Sequence, residues 1–222
     1  MTPTQFEKLS EDLRVLATKI PLRWGAVQNN AYDRQIDMFS ISSYDELETA
    51  LQNVNNENVR DYFRRRWFLW QCSKCDEHIF CIDGDAVQNP NPRSKEYDIM
   101  FLNDQTLKFD VKGTIIPKGF RDIPYKELIE NPQELANWMF GNQSKGVRYD
   151  IQNRLFIVHH SLVQQEREMY TRCAWETKKK VYSEYILKLK QGKRFISSKG
   201  VKADFIWLIE ETKGKITPYF FD

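Results

Sequence analysis

Residues 96–114 read EYDIMFLNDQTLKFDVKGT, two runs in which apolar and polar side chains alternate out of phase. Side chains alternate across an extended strand with a period of two. Ile99 and Phe101 on the first run therefore share a face with Leu107, Phe109 and Val111 on the second, and Glu96, Asp98, Lys108, Asp110 and Lys112 share the other. The pattern predicts strands over about residues 97–102 and 106–114. With Asn103-Asp104-Gln105 as a three-residue loop, Leu102 pairs with Thr106, Met100 with Lys108, Asp98 with Asp110 and Glu96 with Lys112.

This register sets two aspartates directly opposite one another, with Cβ atoms about 5 Å apart. Like charges so placed destabilise a sheet, and a divalent cation between them reverses the sign of that interaction. A hard ion such as Mg²⁺ takes carboxylate oxygens and leaves its other positions to water and phosphate. Lys112, two residues from Asp110 on the same face, is placed to hold or deprotonate an attacking water, or to neutralise charge building on a phosphate. The candidate catalytic residues are thus Asp98, Asp110 and Lys112, with Asp98 and Asp110 as the metal ligands. Asp110→Asn is expected to abolish cleavage and to hold or raise stability, because a like-charge pair is relieved. Asp-x-Lys alone is common on charged surface hairpins. The opposed aspartate, the apolar back face and the Gly113-Thr114 that follows, where backbone can approach closely, set this one apart.

Tyr97-Asp98 followed by Phe109-Asp110-Val111-Lys112-Gly113-Thr114 resembles the PD-(D/E)XK nuclease superfamily, with Tyr97 standing where the family motif has proline. The resemblance implies a restriction-endonuclease-like fold, a mixed central α/β sheet flanked by helices around an αβββαβ core, which residues 60–189 fit. It implies Mg²⁺-dependent phosphodiester cleavage, with Mn²⁺ as a substitute and DNA as the usual substrate, RNA not being excluded. It also implies a further acid on the first core helix, with Glu57 the first candidate and Glu77 the second. Restriction or phage defence suits such a chain, alone, as a homodimer or as a subunit of a larger complex. The alternative is a catalytically inactive nucleic-acid-binding or scaffolding subunit of the same fold.

Around the hairpin, helical periodicity is legible at residues 4–18 in Phe6, Leu9, Leu13 and Leu16. A second helix follows Ser43, an N-cap with Glu46 three residues on. A third, from about residue 56, carries Val59, Tyr62, Phe63, Trp67 and Trp70, with Arg64-Arg65-Arg66 on a solvated face. Residues 78–82 read as a short strand, 133–140 as a helix inside a loop, and 154–159 as a buried strand. Residues 164–189 read as one long helix, and 204–209 and 216–221 as closing strands. The expected organisation is a single domain over 1–222: an N-terminal helical extension (1–55), a catalytic core (56–190) and a C-terminal β extension (191–222).

The formal net charge is only +2, yet residues 178–202 hold nine basic residues against one acid, Glu184. Lys193 and Arg194 there, and Gln143, Lys145 and Arg148 in the loop GNQSKGVR, are candidates for gripping nucleic acid; a charge run is as readily a solvated face. The first residues carry no basic stretch followed by an apolar one, and no run is long and apolar enough to span a bilayer, so a cytoplasmic protein without membrane contact is expected. Cys72, Cys75, His78 and Cys81 offer zinc-type donors, but on a strand His78 and Cys81 would face opposite ways, so buried small hydrophobes are the simpler reading. His159 and His160, at the end of a strand, are read as packed or solvated.

Overall fold

A computed structural model describes residues 1–21, 26, 30–91, 94, 96–142, 152–198 and 200–221. The chain divides into two compact units, Met1–Cys75 and Asp76–Asp222.

In the first unit, α1 (Pro3–Leu16) opens on a reciprocal cap: the Gln5 amide donates to Thr2 Oγ1 at 3.2 Å and the Thr2 amide to Gln5 Oε1 at 2.8 Å. Phe6, Leu13 and Leu16 form its buried stripe. α2 (Tyr44–Leu51) starts at Ser43, as its spacing predicts, and the Glu46 carboxylate accepts from the Ser42 amide at 2.8 Å. That bond, with the Ser42 hydroxyl, holds Glu46 below the usual carboxylate range. α3 (Glu57–Phe80) starts in this unit, with its residues from Asp76 on in the second, and buries Val59, Tyr62, Phe63, Trp67 and Phe68. The arginine run on α3 is tied down rather than solvated. Arg64 pairs with Glu48, Glu57 and Asp61, Arg65 donates to the Pro21 carbonyl at 2.8 Å, and Arg66 pairs with Asp33.

The helix α3 also overrides the strand expected at residues 78–82. Phe68, Cys72, Cys75 and Ile79 are all buried at spacings of four, three and four, so the helical stripe simply continues through a segment whose composition looks extended. Cys72 and Cys75 are buried in that helix, Cys81 is half-buried just beyond it, and all are free thiols.

The second unit carries β1 (Ala86–Gln88), β2 (Ile99–Phe101), β3 (Lys108–Ile115), α4 (Tyr125–Glu130), α5 (Gln133–Asn142), β4 (Arg154–Ser161), α6 (Glu168–Thr171), α7 (Trp175–Lys190), β5 (Ile196–Ser198), β6 (Val201–Thr212) and β7 (Lys215–Phe220). The seven strands form one mixed sheet in the order β1-β2-β3-β4-β6-β5, with β7 also on β6. β3 runs parallel to β4 and β4 to β6, while the other pairings are antiparallel. Parallel strands covered on both faces need apolar side chains at successive positions, which is why residues 155–158 (LFIV) and 205–209 (FIWLI) are unbroken apolar runs. On one face Phe156, Val158, Phe205 and Trp207 pack with Leu128 of α4 and Leu135, Ala136 and Met139 of α5. On the other, Tyr185 of α7 reaches Asp204 of β6 at 3.0 Å.

The hairpin keeps the expected register, Met100 opposite Lys108 and Ile99 opposite Phe109. Its connection is longer than three residues. Leu102 and Asn103 both turn to φ 53°, the Asp104 amide donates to the Phe101 carbonyl at 3.0 Å, and a 3₁₀ turn over Gln105–Leu107 follows. The long helix expected over 164–189 is broken between α6 and α7. The carbonyl released there, on Arg172, accepts from the buried Lys178 ammonium at 2.7 Å, a side chain that composition alone places in solvent. Among the described residues no helix is long and apolar enough to cross a membrane.

Candidate active site

Asp98 stands immediately before β2. Its amide donates to the Phe109 carbonyl at 2.9 Å, and its Oδ2 accepts from the Val111 amide at 2.9 Å, so both its backbone and its carboxylate are held by β3. Asp110, fully buried on β3, has Oδ1 2.8 Å from the Lys112 ammonium and Oδ2 3.6 Å from Nε of Arg154. Arg154 lies opposite Asp110 in the parallel β3–β4 register, its guanidinium over the Phe140 ring at 4.9 Å. Sequence reading missed Arg154, because a pairing between strands separated by two helices leaves no local signal.

Glu77, in the last turn of α3, completes the group. Its Oε2 accepts from Gln88 Nε2 at 3.2 Å. Burial pushes its carboxyl up to about 8; the Asp98 and Asp76 carboxylates add to the shift and Lys112 opposes it. Burial also pushes Asp98 up to about 6, helped by Asp110 and opposed by Lys112 and the Val111 amide. Glu77, Asp98, Asp110 and Lys112 thus share one electrostatic field. Glu57, the other acid considered for the first core helix, pairs with Arg60 at 3.5 Å and Arg64 at 2.5 Å in the Met1–Cys75 unit.

The close approach at Gly113 comes from within the protein: a Cβ there would lie 2.8 Å from Nη1 of Arg172, so that side chain would have to shift. Lys193 corrects the reading of the basic segment. Its ammonium is 3.4 Å from Asp204 Oδ1, donates to the Phe221 carbonyl and is 2 % exposed, which removes it from the reach of a phosphate. The physical reason is Asp204, whose carboxyl burial raises to about 6 and Lys193 draws back down. Arg194 is exposed. Gln143, Lys145 and Arg148 lie outside the described residues.

Among the described residues no three His, Cys, Asp or Glu side chains stand together as a ligand group. Asp98 and Asp110 offer a hard carboxylate pair whose proton affinity is raised on the Asp98 side, as negative potential confined in a poorly solvated site requires. Two carboxylates with water and phosphate oxygens filling the remaining positions is the usual provision for Mg²⁺. No family model, no curated protein and no solved structure matches this chain.

The raised carboxyl of Glu77 has a measurable consequence. Its folded pKa, about 8, lies above the ordinary 4.5, so between those values the folded state binds more protons than the unfolded state. Stability from this group is therefore greatest at low pH and declines as pH rises through that window. Glu77→Gln should remove the decline and raise stability by about 1–2 kcal/mol at pH 8, allowing for the partial exposure of the side chain. Urea unfolding of both proteins at pH 5 and pH 8 checks this; a gain of equal size at both pH values would show that the carboxyl is not perturbed.

Proposed function

We propose that this chain is a divalent-cation-dependent nuclease that hydrolyses phosphodiester bonds, with DNA as its substrate. The observation that carries the reading is the hairpin itself: Asp98 held against β3, Asp110 on β3, and the Lys112 ammonium 2.8 Å from Asp110. The order of elements supports it. Helix α3, the antiparallel strands β1, β2 and β3, the helices α4 and α5, and β4 parallel to β3 come in an order compatible with the αβββαβ core that the resemblance implies.

On this reading Asp98 and Asp110 would hold the cation, and Glu77 would strengthen the negative field around them. When bound, Mg²⁺ or Mn²⁺ would supply Lewis-acid polarisation of a phosphoryl oxygen and a more acidic water. Lys112 steadies the attacking water and offsets the charge that develops on the phosphate. Arg154 and the Val111 amide fix the two aspartates before substrate arrives, so that little reorganisation is left to the reaction. Restriction or phage defence is the setting the family resemblance favours.

The test is incubation of purified protein with supercoiled plasmid and with single-stranded DNA, in Mg²⁺ or Mn²⁺ and again with EDTA. Metal-dependent strand breaks that EDTA stops are expected. DNA that is retained in a binding assay but never cut under any metal would replace the nuclease with a binding subunit.

A further inference from the structure

An open recess of about 540 Å³ lies where β3, β4 and β6 begin, lined by Thr106, Asn153, Phe195, Ser197 and Lys202 among others. Asn153 ties those strand beginnings together. Its Nδ2 donates to the Thr106 and Lys108 carbonyls at 3.2 and 3.1 Å, and its Oδ1 accepts from the Lys202 amide at 2.9 Å. The Asn153 carbonyl accepts from the amide of Asp110 at 2.9 Å, so the rim of the recess is bonded to the candidate catalytic strand. Phe195 packs on Phe109 with ring centroids 5.6 Å apart. The Lys202 ammonium stands over the Phe195 ring, 5.1 Å from its centroid, and donates to the Thr106 carbonyl at 3.1 Å.

We propose that this recess is a subsite for one unpaired nucleotide, whose base takes the Phe195 face that the Lys202 ammonium covers and whose phosphate draws that ammonium aside. The inference rests on the nuclease reading for the identity of the ligand as nucleic acid. The recess falls within the roughly 300–1,000 Å³ of ordinary small-molecule sites. An aromatic face alone would accept any apolar group, and an ammonium alone any anion. Together they select a ligand that is both a flat ring and an anion, which is how single-stranded nucleic acid is held. A base within a duplex is stacked and paired and enters such a recess only after unpairing. The substrate class that follows is single-stranded DNA, or duplex ends with an overhang, in preference to blunt duplex.

Binding is measured by fluorescence anisotropy with a labelled oligothymidylate and with a blunt duplex, in Ca²⁺ to suppress cutting, across a salt series. Lys202→Ala should weaken single-strand binding and shallow the slope of log affinity against log salt by about 0.7, the share of one phosphate contact on a single strand. Phe195→Ala should weaken it by about tenfold with an unchanged slope, because stacking releases no counterion. Blunt-duplex affinity should change little in either variant. Because Phe195 also packs on Phe109, Phe195→Leu serves as a volume-preserving control that still loses the stacking face, and Phe195→Tyr should restore binding. Single-strand affinity retained in both Phe195→Ala and Phe195→Leu, or lost equally for single strand and duplex, overturns the subsite. A wild type that never cuts DNA but shows these selective losses sinks the nuclease reading and keeps the subsite; metal-dependent cutting with unaltered variant binding does the reverse.

Discussion

Asp110→Asn should lower metal-dependent cleavage by roughly 10³-fold or more, since most of the affinity for a hard cation goes with the charge. The structure also changes what this substitution does to stability. Seen as half of a repulsive pair, Asp110 is better neutral. In the folded protein it is fully buried, with Lys112 at 2.8 Å and Arg154 at 3.6 Å, and the Arg154 side chain is only 7 % exposed. Removing the charge weakens the compensation of a buried guanidinium, at a cost of about 1–3 kcal/mol. The expected result is a folded, measurably less stable and inactive variant, read from cleavage rates and urea unfolding on the same preparation. Lys112→Gln guards against a trivial loss of fold, because it keeps Asp110 in place; it should also slow cleavage severely. Activity near wild type in either folded variant would remove these residues from the chemistry.

Lys178→Met should cost about 3–5 kcal/mol, the usual penalty for breaking a buried ion pair on one side. Lys178 has no exposed surface and donates to Asp76 Oδ1 and to the Arg172 carbonyl, both at 2.7 Å. Asp76 also accepts from the Tyr182 hydroxyl at 2.9 Å, and that ring stacks on Phe80 at 3.9 Å. The variant therefore strands a carboxylate in the interior and frees a carbonyl at the α6–α7 break. Combining it with Asp76→Asn should recover a large part of the loss, since the penalty belongs to the unpaired charge rather than to the missing bond. Asp76 immediately precedes Glu77, so the single variant should also disturb the candidate site. Denaturation midpoints for the two single variants and the double one decide the matter; a loss under about 1 kcal/mol for Lys178→Met would mean that the pair is not the anchor its burial makes it.

The hairpin was the most legible part of the chain because its information is local. Alternation within residues 96–114 sets the faces, and a turn centred on Asp104 sets the pair Met100–Lys108, which holds although the connection is longer than three residues. The Ser43 cap was legible for the same reason. What failed depends on distant partners. His78 and Ile79 belong to a helix because the stripe beginning at Phe68 is still buried there, and the break at Arg172 exists because Lys178 can satisfy it. Lys178 and Lys193 were counted as surface charge, and only the burial of Asp76 and Asp204 beside them shows why they are internal. β1 and β5 are three residues each, too short to carry a period. At the site, the aspartates and the lysine could be placed from spacing. Arg154 needed the parallel register, and Glu77 could be preferred to Glu57 only once the charges around each were known.

Whether Asp98 and Asp110 together bind a divalent cation is tested by Mn²⁺ titration followed by calorimetry or electron paramagnetic resonance, without any assumption about substrate. Saturable binding is expected at pH 7.5, and Asp98→Asn and Asp110→Asn should each abolish it, with both variants still folded. Binding should also weaken as pH falls toward and below about 6, because the cation must then displace the proton that burial and Asp110 hold on Asp98. No saturable binding by the wild type, or binding that both variants retain with the same pH dependence, would contradict cation binding by the pair.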